Sequence, residues 1–282
     1  MGTLFVVATP IGNLSDFSLR GIETLKTCDY ILAEDTRQTI KLLNHFEIKN
    51  KMVSYHKFNE EKKSASVIED LKSGKNIALV SDAGTPCISD PGYILVKHAR
   101  ENNIKVASVP GCSALIAALS AGGLDTSTFT FYGFVPTENK PRKELFESIK
   151  HSNIKTKVVY ESPKRIIKLL KELKDEMPGC VICVASEITK VHESYEYGKI
   201  EDVYEKMKDN PDSLKGEYVI LIQNEKEDEK ESAISIEAML VDIIIKEKCS
   251  IKDAIKILNE KQKDISKKDI YNASLNLKEI LK

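Results

Sequence analysis

The sequence lacks any run of about 18 consecutive apolar residues, the length that a transmembrane helix requires. Its first residues, Met1–Val7, resemble a short strand and lack the basic segment that opens a secretory signal peptide. The formal net charge is only -1, which excludes a uniformly basic nucleic-acid binder but allows local basic patches. We therefore expect a cytoplasmic protein without a membrane segment, in which any contact with nucleic acid is local.

Two nucleotide-binding motifs are also missing. No Gly-x-Gly-x-x-Gly follows the first predicted strand, and Gly74-Lys75 lacks the remaining residues of a P-loop. The six cysteines show no metal-binding spacing, since Cys180 and Cys183 would point to opposite faces of a predicted strand. The sequence thus predicts reduced thiols and no metal site, and it argues against dinucleotide and P-loop nucleotide binding.

Short β-rich runs alternate with helical segments through the first half of the chain. Strands are predicted at Leu4–Ala8, Tyr30–Ala33, Met52–Tyr55, Ile77–Ser81, Lys105–Val109 and Phe129–Tyr132. Helices are predicted at Leu19–Thr27, Thr39–Phe46, Glu60–Ser73, Tyr93–Glu101 and Ser113–Ala121. This alternation predicts βαβ units and a mostly parallel sheet over residues 1–134.

The pattern resumes after Phe134–Pro141, a connection rich in proline and polar residues. Strands are predicted at Lys157–Tyr160, Val181–Ser186, Glu193–Lys199 and Tyr218–Ile222, and helices at Arg142–Ile149, Pro163–Leu173 and Glu201–Lys208. The chain of 282 residues is long enough for two ordinary cores. We therefore expect an α/β protein with two α/β domains, residues 1–134 and 135–224, and a ligand cleft between them.

The end of the chain has a different character. The charged run Glu225–Glu231 reads as a solvated linker, and residues 233–282 show helical apolar stripes with Ser250 and Ser266 each followed three residues later by Asp. Eight lysines stand against four acidic residues between Lys246 and Lys268. Three short helices are predicted, and their lysines form either an ordinary solvated face or a local RNA-binding surface.

Three predicted loops place glycine and proline beside small polar side chains. They are Thr9–Asn13, Ser81–Pro86 and Pro110–Ala114, each directly after a strand. One such loop alone would be an ordinary capped turn, but the carboxyl ends of parallel strands meet at one edge of the sheet, where ligands bind. The three together favour a ligand site. Beyond the second loop, Asp90 is predicted to cap the next helix, with Pro91 at its first position.

Several longer strings resemble one family. "TPIGNLSD", "AEDTR", "SDAGTPCISDPG", "VPGCSA", "YESPKR" and "KGEYVILI" occur in order between Thr9 and Ile222. They are similar to those of the ribosomal RNA small subunit methyltransferase I family, within the tetrapyrrole methylase superfamily. This resemblance implies a fold of two α/β domains and a helical tail that resembles a helix-turn-helix. It also implies methylation, with S-adenosylmethionine, of a cytidine ribose 2′-hydroxyl in the decoding centre of bacterial 16S rRNA, by a homodimer.

The resemblance also implies site residues. The implied cofactor contacts are Pro10, Asp82, Ala83, Ile88, Ser113, Ala114, Glu161, Gly216 and Glu217. The catalytic candidates are Asp35 and Asp82, with Arg37 as a phosphate clamp; the alternative for Asp35 is a helix N-cap. His56 and Asn59 are candidates for the same rim, although an ordinary loop histidine is the simpler interpretation. The candidate RNA contacts are Lys140, Arg142, Lys143, Lys164 and Arg165.

Two other functions remain open at this stage. A tetrapyrrole or other small-molecule methylase would share the fold, but small-molecule members of the superfamily have Gly-Asp-Pro where this chain has Ser81-Asp82-Ala83. An RNA-binding or ribosome-assembly protein without catalysis would leave the three ligand loops unexplained. The rRNA methyltransferase interpretation accounts for both the loops and the basic tail.

Overall fold

The computed structural model describes residues 1–209, 216–224, 235–262 and 265–280. The chain divides into two compact units, Met1–Glu225 and Lys226–Lys282. Lys215 and the predicted linker Glu225–Glu231 lie outside the described residues.

The first unit begins with a five-stranded sheet. Its strands are β1 (Thr3–Val7), β2 (Tyr30–Ala33), β3 (Met52–Ser54), β4 (Ile77–Val80) and β5 (Lys105–Val109), in the order β3-β2-β4-β1-β5. All pairs are parallel, which confirms the predicted sheet. The helices that follow these strands are α1 (Leu19–Thr27), α2 (Thr36–His45), α3 (Glu60–Lys72), α4 (Tyr93–Glu101) and α5 (Ala114–Ala121).

The central strands of this sheet are apolar because both of their faces are covered. Every residue of β2 and β4 is buried. Leu32 and Leu79 pack into one hydrophobic cluster, while their neighbours Ile31 and Ala78 pack into another on the opposite face. This leaves the carboxyl edge of the sheet, where the chain leaves each strand, as the place for polar loops.

A second five-stranded sheet follows in the same unit. It contains β6 (Phe129–Phe134), β7 (Thr156–Glu161), β8 (Val181–Ser186), β9 (Ser194–Lys199) and β10 (Tyr218–Gln223), in the order β6-β7-β10-β8-β9. Only β6 and β7 are parallel. The predicted boundary at residue 134 placed β6 with the first sheet; the ladder to β7 shows that it belongs to the second.

Helices cover both faces of the second sheet. Three are local, α6 (Asn139–His151), α7 (Ile166–Glu176) and α8 (Ile200–Met207). The other face packs against α5: Leu115 and Leu119 share a buried cluster with Val158 and Leu221. Since α5 directly follows β5, this packing joins the two sheets within one compact unit.

The second unit contains the three predicted helices, α9 (Ile236–Glu247), α10 (Ile251–Lys261) and α11 (Lys267–Ile280). Their core includes Leu240, Leu258 and Ile270. The Ser250 hydroxyl accepts a hydrogen bond from the backbone of Asp253, and Ser266 does the same for Asp269, as the capping pattern predicts. Among the described residues, none of the helices combines the length and hydrophobicity required to cross a membrane.

Candidate functional site

The three predicted ligand loops meet at the carboxyl edge of the first sheet. The backbone of Thr9 exchanges two hydrogen bonds with Gly84, at 2.8 and 3.0 Å. The Thr85 hydroxyl donates to the Cys112 carbonyl at 3.0 Å, which links the second loop to the third. The loops after β1, β4 and β5 therefore form one connected wall.

The loop between β4 and α4 has an unusual backbone. Cys87 and Ser89 have φ of 72° and 65°, and Gly92 has φ of 126°. Non-glycine residues in this region cost energy and cluster at functional sites. Here α4 begins at Tyr93, with Gly92 at the N-cap position, so the predicted capping role of Asp90 is wrong. The Gly92 N–H donates instead to the Glu60 carboxylate of α3, at 3.1 Å.

A cavity of about 520 Å³ opens between these loops and the second sheet. Most of the residues expected to contact a cofactor line it: Asp82, Ala83, Ile88, Ser113, Ala114, Gly216 and Glu217. Two do not belong to the lining, Pro10 and Glu161. A side chain on Gly216 would collide with Glu187, because its Cβ would lie 1.9 Å from Oε1. The glycine therefore allows the segment before β10 to approach the hairpin after β8.

Carboxylates dominate the polar lining. Glu34, Asp90 and Glu187 join Asp82 and Glu217, whereas Lys190 is the cation among the described lining residues, and it pairs with Glu187 at 2.9 Å. Burial raises the pKa of the Asp90 carboxyl to about 7, and the charges of Glu34 and Asp82 act in the same direction. Burial also raises the pKa of Glu34 and of Asp82. Such a cavity favours a cationic ligand.

Sequence reasoning missed Glu34 and Asp90 as site residues. Glu34 directly follows buried β2, in the "AEDTR" string, so its position at a strand end was a usable signal. Asp90 precedes a proline before a helix, which is the ordinary pattern of a cap. In the structure Asp90 lines the cavity instead, in a loop with left-handed backbone at Cys87 and Ser89.

Asp35 is the N-cap of α2, the alternative that the sequence left open. Its Oδ1 accepts a hydrogen bond from the Arg37 backbone at 2.8 Å, and its Oδ2 lies 2.6 Å from the Arg37 guanidinium. The hydrogen bonds from Arg37 hold the pKa of Asp35 at about 2. Neither side chain lines the cavity, and that of Arg37 is 88% exposed. The structure thus shows the capping role of Asp35, and a catalytic role for its carboxylate stays a prediction.

Glu161 and two of the predicted RNA contacts form an internal ionic network. Glu161 is fully buried, and its Oε1 lies 2.6 Å from the Arg165 guanidinium. Arg142 is 6% exposed; it binds Glu172 at 2.5 Å and approaches Glu161 at 3.8 Å. Arg142 is thus withdrawn from any RNA surface, and Glu161 from direct cofactor contact, because each is buried with an oppositely charged partner.

The remaining candidates differ in exposure. Lys140, Lys143 and Lys164 are exposed, as an RNA contact requires, and Arg165 is partly buried beside Glu161. His56 and Asn59 bond to each other at 3.0 Å and do not line the cavity. In the described ranges, no cluster of three or more His, Cys, Asp or Glu side chains has a metal-binding arrangement.

Comparison with solved structures reveals the same fold in two other proteins. A crystal structure of diphthine synthase superposes with a TM-score of 0.63 at 15% identity, over 80% of this chain and 91% of that one. Uroporphyrin-III-C-methyltransferase from Thermus thermophilus gives a TM-score of 0.54 at 17% identity, over 79% and 95% of the respective chains. At these identities the likeness establishes the fold.

Sequence comparison is more specific. The family of Tetrapyrrole (Corrin/Porphyrin) Methylases matches residues 3–204. Ribosomal RNA small subunit methyltransferase I of Halalkalibacterium halodurans is 40% identical over 96% of this chain and 94% of its own length. The protein of the same name from Buchnera aphidicola subsp. Schizaphis graminum is 42% identical over 99% of this chain and 97% of its own length. The chain belongs to the tetrapyrrole methylase family and, within it, to the ribosomal RNA small subunit methyltransferase I group.

Proposed function

We propose that this protein uses S-adenosylmethionine to methylate the ribose 2′-hydroxyl of a cytidine in the decoding centre of 16S rRNA. The observation that carries this proposal is the carboxylate-lined cavity at the loop edge of a methylase fold, in a chain that is about 40% identical to named rRNA methyltransferases. Family resemblance further leads us to propose a cytoplasmic homodimer.

The donor set of the cavity fits this cofactor. S-adenosylmethionine carries a sulfonium and an ammonium group, which suit the carboxylates of Asp82 and Glu217. Ser113 and Ala114 lie at the N-terminus of α5, and the backbone N–H groups and dipole at a helix N-terminus suit the cofactor carboxylate. A volume of about 520 Å³ is also in the range of ordinary cofactor sites.

The chemistry requires orientation more than a strong catalyst. When bound, S-adenosylmethionine would supply the electrophilic methyl group that the ribose oxygen accepts. The connected loops after β1, β4 and β5 hold the reactants, and good orientation can contribute about 7–11 kcal/mol to lowering the barrier. Asp90 is the carboxylate that we assign to take the 2′-hydroxyl proton, because its pKa near 7 suits a general base at neutral pH.

RNA is held, in this proposal, by cations outside the acidic cavity. Lys140, Lys143 and Lys164 are exposed on the first unit, and Arg37 stands at the start of α2. The exposed lysines of α10 and α11 provide a second basic surface. Phosphate contacts position RNA without reading its sequence, so these residues contribute affinity rather than choice of nucleotide.

The test measures transfer of radiolabelled methyl groups from S-adenosylmethionine to purified small ribosomal subunits, free 16S rRNA and a porphyrinoid. We expect label in the RNA, recovered as 2′-O-methylcytidine after nuclease digestion. Label only in the porphyrinoid would replace the proposal with a small-molecule methylase. Cofactor binding without transfer to any of the three would favour an RNA-binding role without catalysis.

A further inference from the structure

Strand β6 contains a bulge that redirects Phe134. Phe131 pairs with Val158 and Phe134 pairs with Tyr160, so three steps along β6 match two along β7. Gly133 provides the required left-handed backbone, with φ of 71°. Side chains alternate between the faces of a regular strand, so an unbulged β6 would place Phe131 and Phe134 on opposite faces. The extra residue puts them on the same face.

Both rings consequently contact Tyr160. The ring centroids of Phe131 and Tyr160 are 4.7 Å apart, and those of Phe134 and Tyr160 are 5.4 Å apart. The Phe134 and Tyr160 ring planes meet at 68°, so this edge contact covers only part of Phe134. Phe134 lines the cavity and remains 44% exposed. Phe134 thus contacts Tyr160 and leaves a large apolar surface open at the cavity.

The bulge also lies against the loop that carries Asp90. A Cβ atom on Gly133 would be 3.4 Å from the Ser89 hydroxyl, so the Ser89 side chain lies against the bulge. Phe134 and Asp90, the neighbours of these two residues, line the same cavity. The cavity therefore offers one nucleoside a carboxylate for its ribose and an aromatic ring for its base.

We propose that the exposed surface of Phe134 stacks on the base of the nucleotide whose ribose is methylated. This inference rests on the proposed function and adds to it a positioning residue for the target nucleoside. Proteins that recognise single-stranded RNA stack unstacked bases on aromatic side chains, and every base offers a flat face for this contact. The cofactor cations belong with the carboxylates of Asp82 and Glu217, whereas Phe134 offers no charge or hydrogen bond to them.

The experiment compares Phe134→Leu and Phe134→Tyr with Phe129→Leu. Phe129 is the matched control because it lies on the same strand, is 42% exposed and does not line the cavity. Substrates are small subunits reconstituted with 16S rRNA that carries either cytosine or no base at the target ribose. The readouts are kcat/KM for each substrate and the cofactor Kd by calorimetry.

With the cytosine substrate, Phe134→Leu is expected to lower kcat/KM about tenfold, the range of one base stack. Phe134→Tyr and Phe129→Leu should stay near the wild type, and the cofactor Kd should not change. With the abasic substrate, the wild type and Phe134→Leu should become equal, because the contact is already lost.

Three outcomes would overturn the inference. One is equal activity of the wild type and Phe134→Leu on cytosine; another is an undiminished effect of Phe134→Leu on the abasic substrate. The third is a weakened cofactor Kd that accounts for the lost activity, which would assign the ring to the cofactor. In each of these cases the active wild type leaves the proposed function standing, whereas a wild type that transfers no methyl group to RNA would overturn both.

Discussion

The Asp82 carboxylate accepts a hydrogen bond from the backbone N–H of Asp35, with 3.0 Å between Oδ1 and N. This contact joins the ends of the neighbouring strands β2 and β4, at the edge where the ligand loops gather. It also separates the roles of two aspartates that the sequence presents as equivalent. Asp35 uses its side chain to cap α2, and its backbone holds Asp82 at the cavity.

Asp82→Asn should weaken S-adenosylmethionine binding about tenfold while the fold stays intact. Asparagine keeps an oxygen that accepts the Asp35 hydrogen bond but removes one negative charge from the cavity, and such a charge contributes about 1–4 kcal/mol near a cation at a protein surface. Calorimetry checks the affinity. Asp35→Asn is the control, since asparagine also caps helices and residue 35 does not line the cavity. Equal losses in both variants would contradict the division of roles.

Asp90→Asn should lower kcat by about 100-fold or more and abolish the rise of activity with pH. Only the ionised carboxylate accepts a proton, so wild-type kcat/KM should increase with pH through about 7, the pKa of Asp90. The groups that act on this carboxyl are Ser81, through a hydrogen bond, and the negative charges of Glu34, Asp82 and Glu217. Binding of a cation should lower the pKa of Asp90 and release protons. A pH profile that is unchanged in the variant would remove Asp90 as the proton acceptor.

The same carboxyl should make ligand-free stability depend on pH. The pKa of Asp90 is higher in the folded protein than in the unfolded chain, where it is close to 3.8, so the folded state holds the proton more tightly. The free energy of unfolding should therefore fall as pH rises from about 4 to about 7. The free energy of unfolding of Asp90→Asn should equal that of the wild type near pH 4. Above pH 7 it should be higher by about 1 kcal/mol, after allowance for solvent screening at the cavity mouth. Urea unfolding at both limits tests this, and a wild-type advantage at high pH would contradict the sign.

Local sequence patterns predicted much of the fold. The predicted bounds of β2 and α1 are the observed ones, because fully apolar strands and a strong helical stripe depend on nearby residues. The clustering of the three ligand loops followed from parallel topology alone. These features required no knowledge of distant contacts.

The errors arose where distant residues decide the outcome. The Glu60 carboxylate binds the Gly92 N–H across 32 positions of sequence, and the turn at Gly92 frees Asp90 from the capping role that Asp-Pro suggests. Arg142 lies in a lysine-rich string and looks like a surface cation, but its partner Glu172 is 30 residues away. Neither relationship leaves a trace in local periodicity.

The basic tail should contribute to RNA affinity. Lys252 and Lys256 are exposed and share one face of α10, being four residues apart. Changing both to glutamate should weaken binding to 16S rRNA while cofactor affinity stays constant. The plot of log binding constant against log salt concentration should become less steep, by the amount that about two lost phosphate contacts account for. Filter binding at several salt concentrations measures both. Lys171→Glu is the control, because Lys171 is exposed on α7 of the first unit; an equal effect there would make the tail an ordinary solvated surface.

Neighbouring cations on α6 should have opposite roles. Arg142→Ala leaves the buried Glu161 carboxylate without one of its two cations and also breaks the contact with Glu172, so the free energy of unfolding should fall by about 3 kcal/mol or more. Lys143→Ala removes an exposed charge and should change stability by less than about 0.5 kcal/mol. Urea unfolding measures both changes in stability. RNA binding is measured at a temperature where both variants are folded, and only Lys143→Ala should weaken it. Weaker RNA binding by a folded Arg142→Ala protein, with normal stability, would instead return Arg142 to the RNA surface.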